Sequence, residues 1–80
     1  MNVNVEMTKK KIVVVGAGGM GSNHSRAIAT GANTELSAVV DFDTDKAKSL
    51  AKRFESKAFS SLDEALASNN VDGVVVATTT

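Results

Sequence analysis

Apolar residues along this chain fall into two alternating patterns, short solid runs and helical spacing. Ile12-Val13-Val14-Val15 is an unbroken β-branched run, the pattern of a strand covered on both faces, as in parallel sheets. Leu36 to Val40, the very short Ala58-Phe59, and Val74-Val75-Val76-Ala77 are three further strand candidates. Between them the period changes. Met20, His24, Ala27 and Ile28 share one face of a helix expected from about Met20 to Thr30. Gly31 stands where a left-handed residue ends such a helix. A second helix starts in Asp43-Thr44-Asp45, whose short oxygen-bearing side chains suit an N-cap, and its apolar face is Ala47, Leu50, Ala51 and Phe54. Ser61-Leu62-Asp63-Glu64 has the form of a capping box. It opens a third helix through Leu62, Ala65 and Leu66, closed by Ser68-Asn69-Asn70.

Strands alternating with helices of this length imply right-handed crossovers and a parallel sheet. The predicted fold class is therefore α/β, a doubly wound βαβαβαβ unit with strand order 3-2-1-4. The first two helices should lie on one face of the sheet and the third on the other.

Composition narrows the function classes. The 80 residues carry nine Lys and Arg against nine Asp and Glu, so the formal net charge is zero. Nucleic acid and anionic membrane partners favour a basic excess, which is missing here. The run of cations on the second helix, Lys46, Lys48, Lys52 and Arg53, reads as a solvated face. There is no cysteine, which rules out disulfides and thiolate metal sites and fits a reducing compartment. No apolar run approaches the roughly 18 residues of a membrane span. Residues 1–10 are polar, contain an acid and lack an apolar core, so they read as a disordered leader and not as a secretory signal. A cytoplasmic protein is expected.

The chemistry is carried by Gly16-Ala17-Gly18-Gly19-Met20-Gly21, which matches G-x-G-x-x-G. Gly16 lets the chain turn sharply off the strand, Gly18 lets the backbone approach a pyrophosphate, and Gly21 lets the helix pack against the sheet. Gly19 and Met20 complete the turn, and the helix N-terminus offers N–H groups and partial positive charge to phosphates. The motif gains weight from its place after a valine-rich strand and before a helix. Asp41 ends the second strand, twenty residues beyond Gly21, where an acid accepts hydrogen bonds from the adenosine ribose. Its charge would repel the 2′-phosphate of NADP, and no arginine follows within the next few residues. NAD is favoured over NADP. The single histidine, His24, reads as a packed, hydrogen-bonded helix residue, and Arg26 as a surface residue.

The run from Lys11 to Arg26 resembles the start of the Gfo/Idh/MocA oxidoreductases, and Val39-Val40-Asp41-Phe42-Asp43 is similar to their second strand and loop. Ser60 to Leu66 resembles their short third strand and capped third helix, and Val71 to Thr78 their fourth strand. The resemblance implies a Rossmann domain, partial here over residues 11–80 and without the substrate domain. It further implies an NAD(P)-dependent enzyme acting on a sugar, cyclitol or related alcohol as its small polar substrate. The full-length enzyme is expected to be a homo-oligomer. The family usually reads Ala-Thr-Pro after the fourth strand, whereas this chain has Ala77-Thr78-Thr79-Thr80. Thr78 is placed near the cofactor by the same comparison. The family's Glu-Lys-Pro motif, whose lysine assists catalysis, comes after the fourth strand and is not among these residues, so no catalytic residue is assigned. A non-catalytic nucleotide-sensing module of a regulatory protein is the alternative function. A flavin-binding unit is a third, weakened because such units usually place a glutamate where Asp41 stands.

Overall fold

The computed structural model describes residues 9–68 and 70–78. Along them run β1 (Lys10–Val15), α1 (Gly19–Thr30), β2 (Thr34–Val40), α2 (Thr44–Arg53), β3 (Lys57–Phe59), α3 (Leu62–Ser68) and β4 (Gly73–Val76). Every strand pair is parallel and the sheet order is β3-β2-β1-β4. The expected doubly wound α/β architecture is the observed one. Most of the leader expected over residues 1–10 lies outside the described residues, as do Asn69, Thr79 and Thr80.

Alternation along the strands divides the core between the two faces. Val14, Leu36 and Val39 pack under Ala47, Leu50 and Ala51 of α2, with Ile28 and Ala29 of α1 beside them. Val13, Ala38 and Val40 face the other way, under Ala65 and Leu62 of α3. Leu36 and Ala38 reach opposite faces because the β1–β2 register shifts at Ile12/Val13, where an extra residue in β2 breaks the two-residue period. Two helices thus cover one face and the third covers the other.

Helix α1 is turned differently from its apolar pattern. Met20 is 56% exposed and His24 and Ala27 are exposed, while Gly21 and Ser25 are buried. The deciding quantity is bulk. A Cβ on Gly21 would overlap the carbonyl oxygen of Gly16, so α1 meets β1 through its smallest residues and turns its larger ones outward. The packed, hydrogen-bonded reading of His24 is corrected accordingly, whereas Arg26 is exposed as expected. Gly31 is also corrected: its backbone is extended, at φ −68° and ψ 146°. The Ile28 carbonyl that a left-handed cap would satisfy accepts from Gly31 N–H at 3.4 Å and from Thr34 Oγ1 at 2.7 Å.

Helix α2 starts as expected, with Asp43 Oδ1 accepting from the Lys46 N–H at 3.2 Å. Its end was not legible. Glu55 adopts φ 55°, and Ser56 N–H and Glu55 N–H donate back to the carbonyls of Ala51 and Lys52, the paired bonds of a left-handed C-terminal cap. Ser61 Oγ accepts from Glu64 N–H at 3.2 Å, and the Glu64 carboxylate accepts from the hydroxyls of Ser60 and Ser61. The glutamate of this capping box therefore binds hydroxyls in place of the backbone N–H.

Strand β4 is an edge of the sheet, beside β1, and one of its faces is open. Val75 packs beside Val14, but Val74 is 40% and Val76 67% exposed. Helix α3 sits over β2 and β3 and leaves this part of the sheet open.

Two substitutions test the packing. Gly21→Ala should lower unfolding stability by about 1–3 kcal/mol, read from urea denaturation, because the added methyl must push α1 off β1. Glu55→Gly should raise it by about 0.5–1 kcal/mol, since glycine takes the left-handed cap without a Cβ clash, at some cost in unfolded-chain entropy.

Candidate functional site

The parallel register brings the C-terminal ends of the strands level. Val15 lies opposite Val40 on one side and Val76 on the other, and Val40 lies opposite Phe59. The chain leaves the sheet at this rim through Gly16, Asp41 and Ala77. Because β2 and β3 are laid down on one side of β1 and β4 on the other, the rim beside β1 is the switch point where open α/β sheets take their ligands.

The four glycines of the turn divide by what occupies the space around them. Gly16 has φ +112°, a conformation L side chains rarely adopt. A Cβ there would also lie 2.9 Å from the Ala77 carbonyl oxygen. Gly21 is fixed by the Gly16 carbonyl, as described above. Gly18 and Gly19 differ: among the described residues, nothing beyond their own chain neighbours and helix comes within 4 Å of a Cβ on either. Both are exposed and line a cleft of about 290 Å³ with Gly16, Met20, Asp41, Lys46, Ala77 and Thr78. Gly18 is the N-cap of α1 and brings no side chain to cap it. No acidic residue stands in the helix's first turn. The unpaired N–H groups and partial positive charge of that turn are thus left for an anion.

Asp41 bridges two loops. Its Oδ2 accepts from the Ala17 N–H at 2.8 Å and its Oδ1 from the Asp43 N–H at 2.9 Å. These backbone donors, Ala17 first and Asp43 second, hold the carboxyl below the usual aspartate range; burial opposes them, and the charge of Lys46 assists. The carboxylate is therefore ionised at neutral pH, with a lone pair left on each oxygen for a further donor.

Of the residues singled out by sequence, the cleft brings together Gly16, Gly18, Gly19, Met20, Asp41 and Thr78. Gly21 is buried beneath it and shapes it from behind. Lys46 was missed, because its cationic neighbours on α2 suggested only a solvated face. The signal was present: Lys46 lies three residues past the N-cap Asp43, in the turn of α2 nearest the rim. A second, largely apolar cavity of about 270 Å³ adjoins the first, sharing Asp41 and Thr78, and is walled by Val15, Val40, Phe42 and Leu62. Phe42 is 97% exposed at its mouth. Among the described residues no group of acids and histidine is placed to hold a metal ion. No helix among them is long and apolar enough to cross a membrane.

Comparison with known proteins agrees with this geometry. The family described as an oxidoreductase family with an NAD-binding Rossmann fold, Gfo/Idh/MocA, matches residues 10–80. Glucose-6-phosphate 3-dehydrogenase of Bacillus subtilis is 38% identical over 68 residues, covering 85% of this chain and 19% of that protein. Inositol 2-dehydrogenase of Renibacterium salmoninarum is 40% identical over 68 residues, covering 84% of this chain and 20% of that protein. The crystal structure of GenD2, from gentamicin A biosynthesis, in complex with NAD, superposes with a TM-score of 0.84. It is 37% identical and covers 98% of this chain and 23% of its own. The chain thus spans about a fifth of the length of the curated relatives it matches. With its parallel sheet, its glycine turn and a family match over nearly its whole length, the chain belongs to the Gfo/Idh/MocA oxidoreductases, as their NAD-binding Rossmann fold.

Proposed function

We propose that this chain is the cofactor-binding part of a dehydrogenase. The enzyme would transfer hydride between a nicotinamide dinucleotide and a sugar, cyclitol or related alcohol. The observation that carries the reading is the empty space at Gly18 and Gly19. The protein itself makes no demand for glycine at either position, yet both line the cleft at the N-terminus of α1. Backbone that close to an uncapped helix end suits a pyrophosphate. The curated relatives named above act on glucose-6-phosphate and inositol, both polyhydroxylated rings, which supports the substrate class.

In this reading the N–H groups of the first turn of α1 and the backbone of Gly18 to Met20 hold the pyrophosphate. Asp41 accepts from the adenosine ribose with its remaining lone pairs. The apolar cavity walled by Val15, Val40, Phe42 and Leu62 suits the adenine ring, and Thr78 lies between the two halves of the site. When bound, the nicotinamide supplies the hydride chemistry. Substrate binding and proton transfer belong to other parts of the longer enzyme.

NAD is the favoured cofactor. In this reading the Asp41 carboxylate would face a 2′-phosphate and repel it, while Lys46, which lines the same cleft, would offset part of that repulsion. Discrimination against NADP should therefore be moderate.

Calorimetric titration tests both points. Gly18→Ala should weaken NAD binding by about tenfold or more, because a methyl group intrudes between backbone and phosphate. Its melting temperature should move by only a few degrees, since the protein leaves that space open. Unchanged NAD affinity in this variant would remove the pyrophosphate assignment. Asp41→Ser should weaken NAD and narrow the NAD-to-NADP affinity ratio by roughly tenfold, through loss of both the hydrogen bonds and the repelling charge. An unaltered ratio would take Asp41 out of cofactor choice.

A further inference from the structure

The glycine turn is held at its two ends by the protein backbone. Gly16 N–H donates to the Val40 carbonyl at 2.7 Å, and Ala77 N–H donates to the Val15 carbonyl at 2.8 Å. At the other end Ser22 N–H donates to the Gly18 carbonyl at 2.8 Å, the first turn of α1. Between these ends lies Ala17. Its N–H is taken by a side chain from another strand, the Asp41 carboxylate, at 2.8 Å across a sequence separation of 24. Beyond it, the space a side chain would take at Gly18 and Gly19 is open among the described residues.

We infer that Asp41 is a positioning residue for the glycine turn, clamping the Ala17 N–H so that the turn keeps its open shape before any ligand arrives. The inference rests on the nucleotide reading for what the turn is held ready to receive, but the clamp itself is a property of the free protein. Asp41 suits the role because it is anchored twice on its own side. Its N–H donates to the Phe59 carbonyl at 3.2 Å, and its Oδ1 accepts from the Asp43 N–H. The carboxylate is thus a fixed point to which the middle of the turn is tied. A ribose contact alone would leave Oδ2 free in the absence of nucleotide, and Oδ2 is already engaged.

Protonation gives the clamp a readout. The charge acting on Asp41 is that of Lys46 from α2; Asp43 of its own loop meets it through the backbone N–H, and the turn and β1 bring no charged side chain to the cleft. The lowered pKa of Asp41 means that the clamp's contribution is complete above the ordinary aspartate range. It is lost as pH falls through the lowered value.

Amide NMR on the ligand-free protein tests the clamp without any variant. The Ala17 amide proton should move with pH along the same titration curve as the Asp41 carboxyl carbon, and its midpoint should lie below that of an exposed aspartate. Hydrogen exchange at Ala17 should be slow at neutral pH. In Asp41→Ala it should accelerate about tenfold or more, while the amides of Val13 and Val39 stay protected and show that the sheet is intact. An Ala17 amide that ignores the Asp41 titration, or that exchanges at the unprotected rate in the wild type, overturns the inference. Titration with NAD is a separate measurement. A protein whose Ala17 follows Asp41 but which binds no NAD would keep the clamp and lose the cofactor reading.

Discussion

The whole ligand rim depends on how closely one helix lies against the end of one strand. Helix α1 approaches β1 until the Gly21 backbone meets the Gly16 carbonyl, at a separation that leaves no room for a Cβ. That contact fixes the direction of α1, and the direction of α1 decides where its uncapped N–H groups point. It also explains why the buried face of α1 is made of Gly21 and Ser25, with Met20 and His24 outside.

From that contact a short chain of hydrogen bonds spreads along the rim. Phe59 at the end of β3 accepts from Asp41, Asp41 accepts from Ala17 and Asp43, and Asp43 accepts from Lys46 in the first turn of α2. Three strand ends and two helix starts are thereby joined through the side chains of Asp41 and Asp43, each accepting from backbone N–H groups. The polar groups at the rim satisfy one another, and the first-turn N–H groups of α1 are left over for an anion.

Much of this was legible in the sequence because it rests on local rules. Strand runs, the caps at Asp43 and Ser61, the inward face of α2 and the division of helices between the faces all follow from short-range patterns. The cleft residues Gly16, Gly18, Gly19, Met20, Asp41 and Thr78 were legible because a motif of fixed spacing carries its own geometry. What stayed hidden depends on contacts between distant segments. The rotation of α1 is set by bulk at one contact, a quantity that hydrophobic periodicity does not report. The left-handed residue after α2 is Glu55 and not a glycine, so no composition signal marked it. Lys46 was concealed among other cations, and only the start of α2 at the rim separates it from them.

The division among the glycines has a consequence for how such a domain would age. Gly16 and Gly21 are required by the fold itself, through a backbone angle and a backbone contact. At Gly18 and Gly19 the described residues leave a side chain room, so in the nucleotide reading only a ligand calls for glycine there. A descendant that stopped binding a nucleotide would be free to drift at the second pair, while selection for folding would still preserve the first. Within this one turn, then, the two pairs of glycines record two separate histories, and a lineage that keeps Gly16 and Gly21 while altering Gly18 and Gly19 would be a relic that still folds.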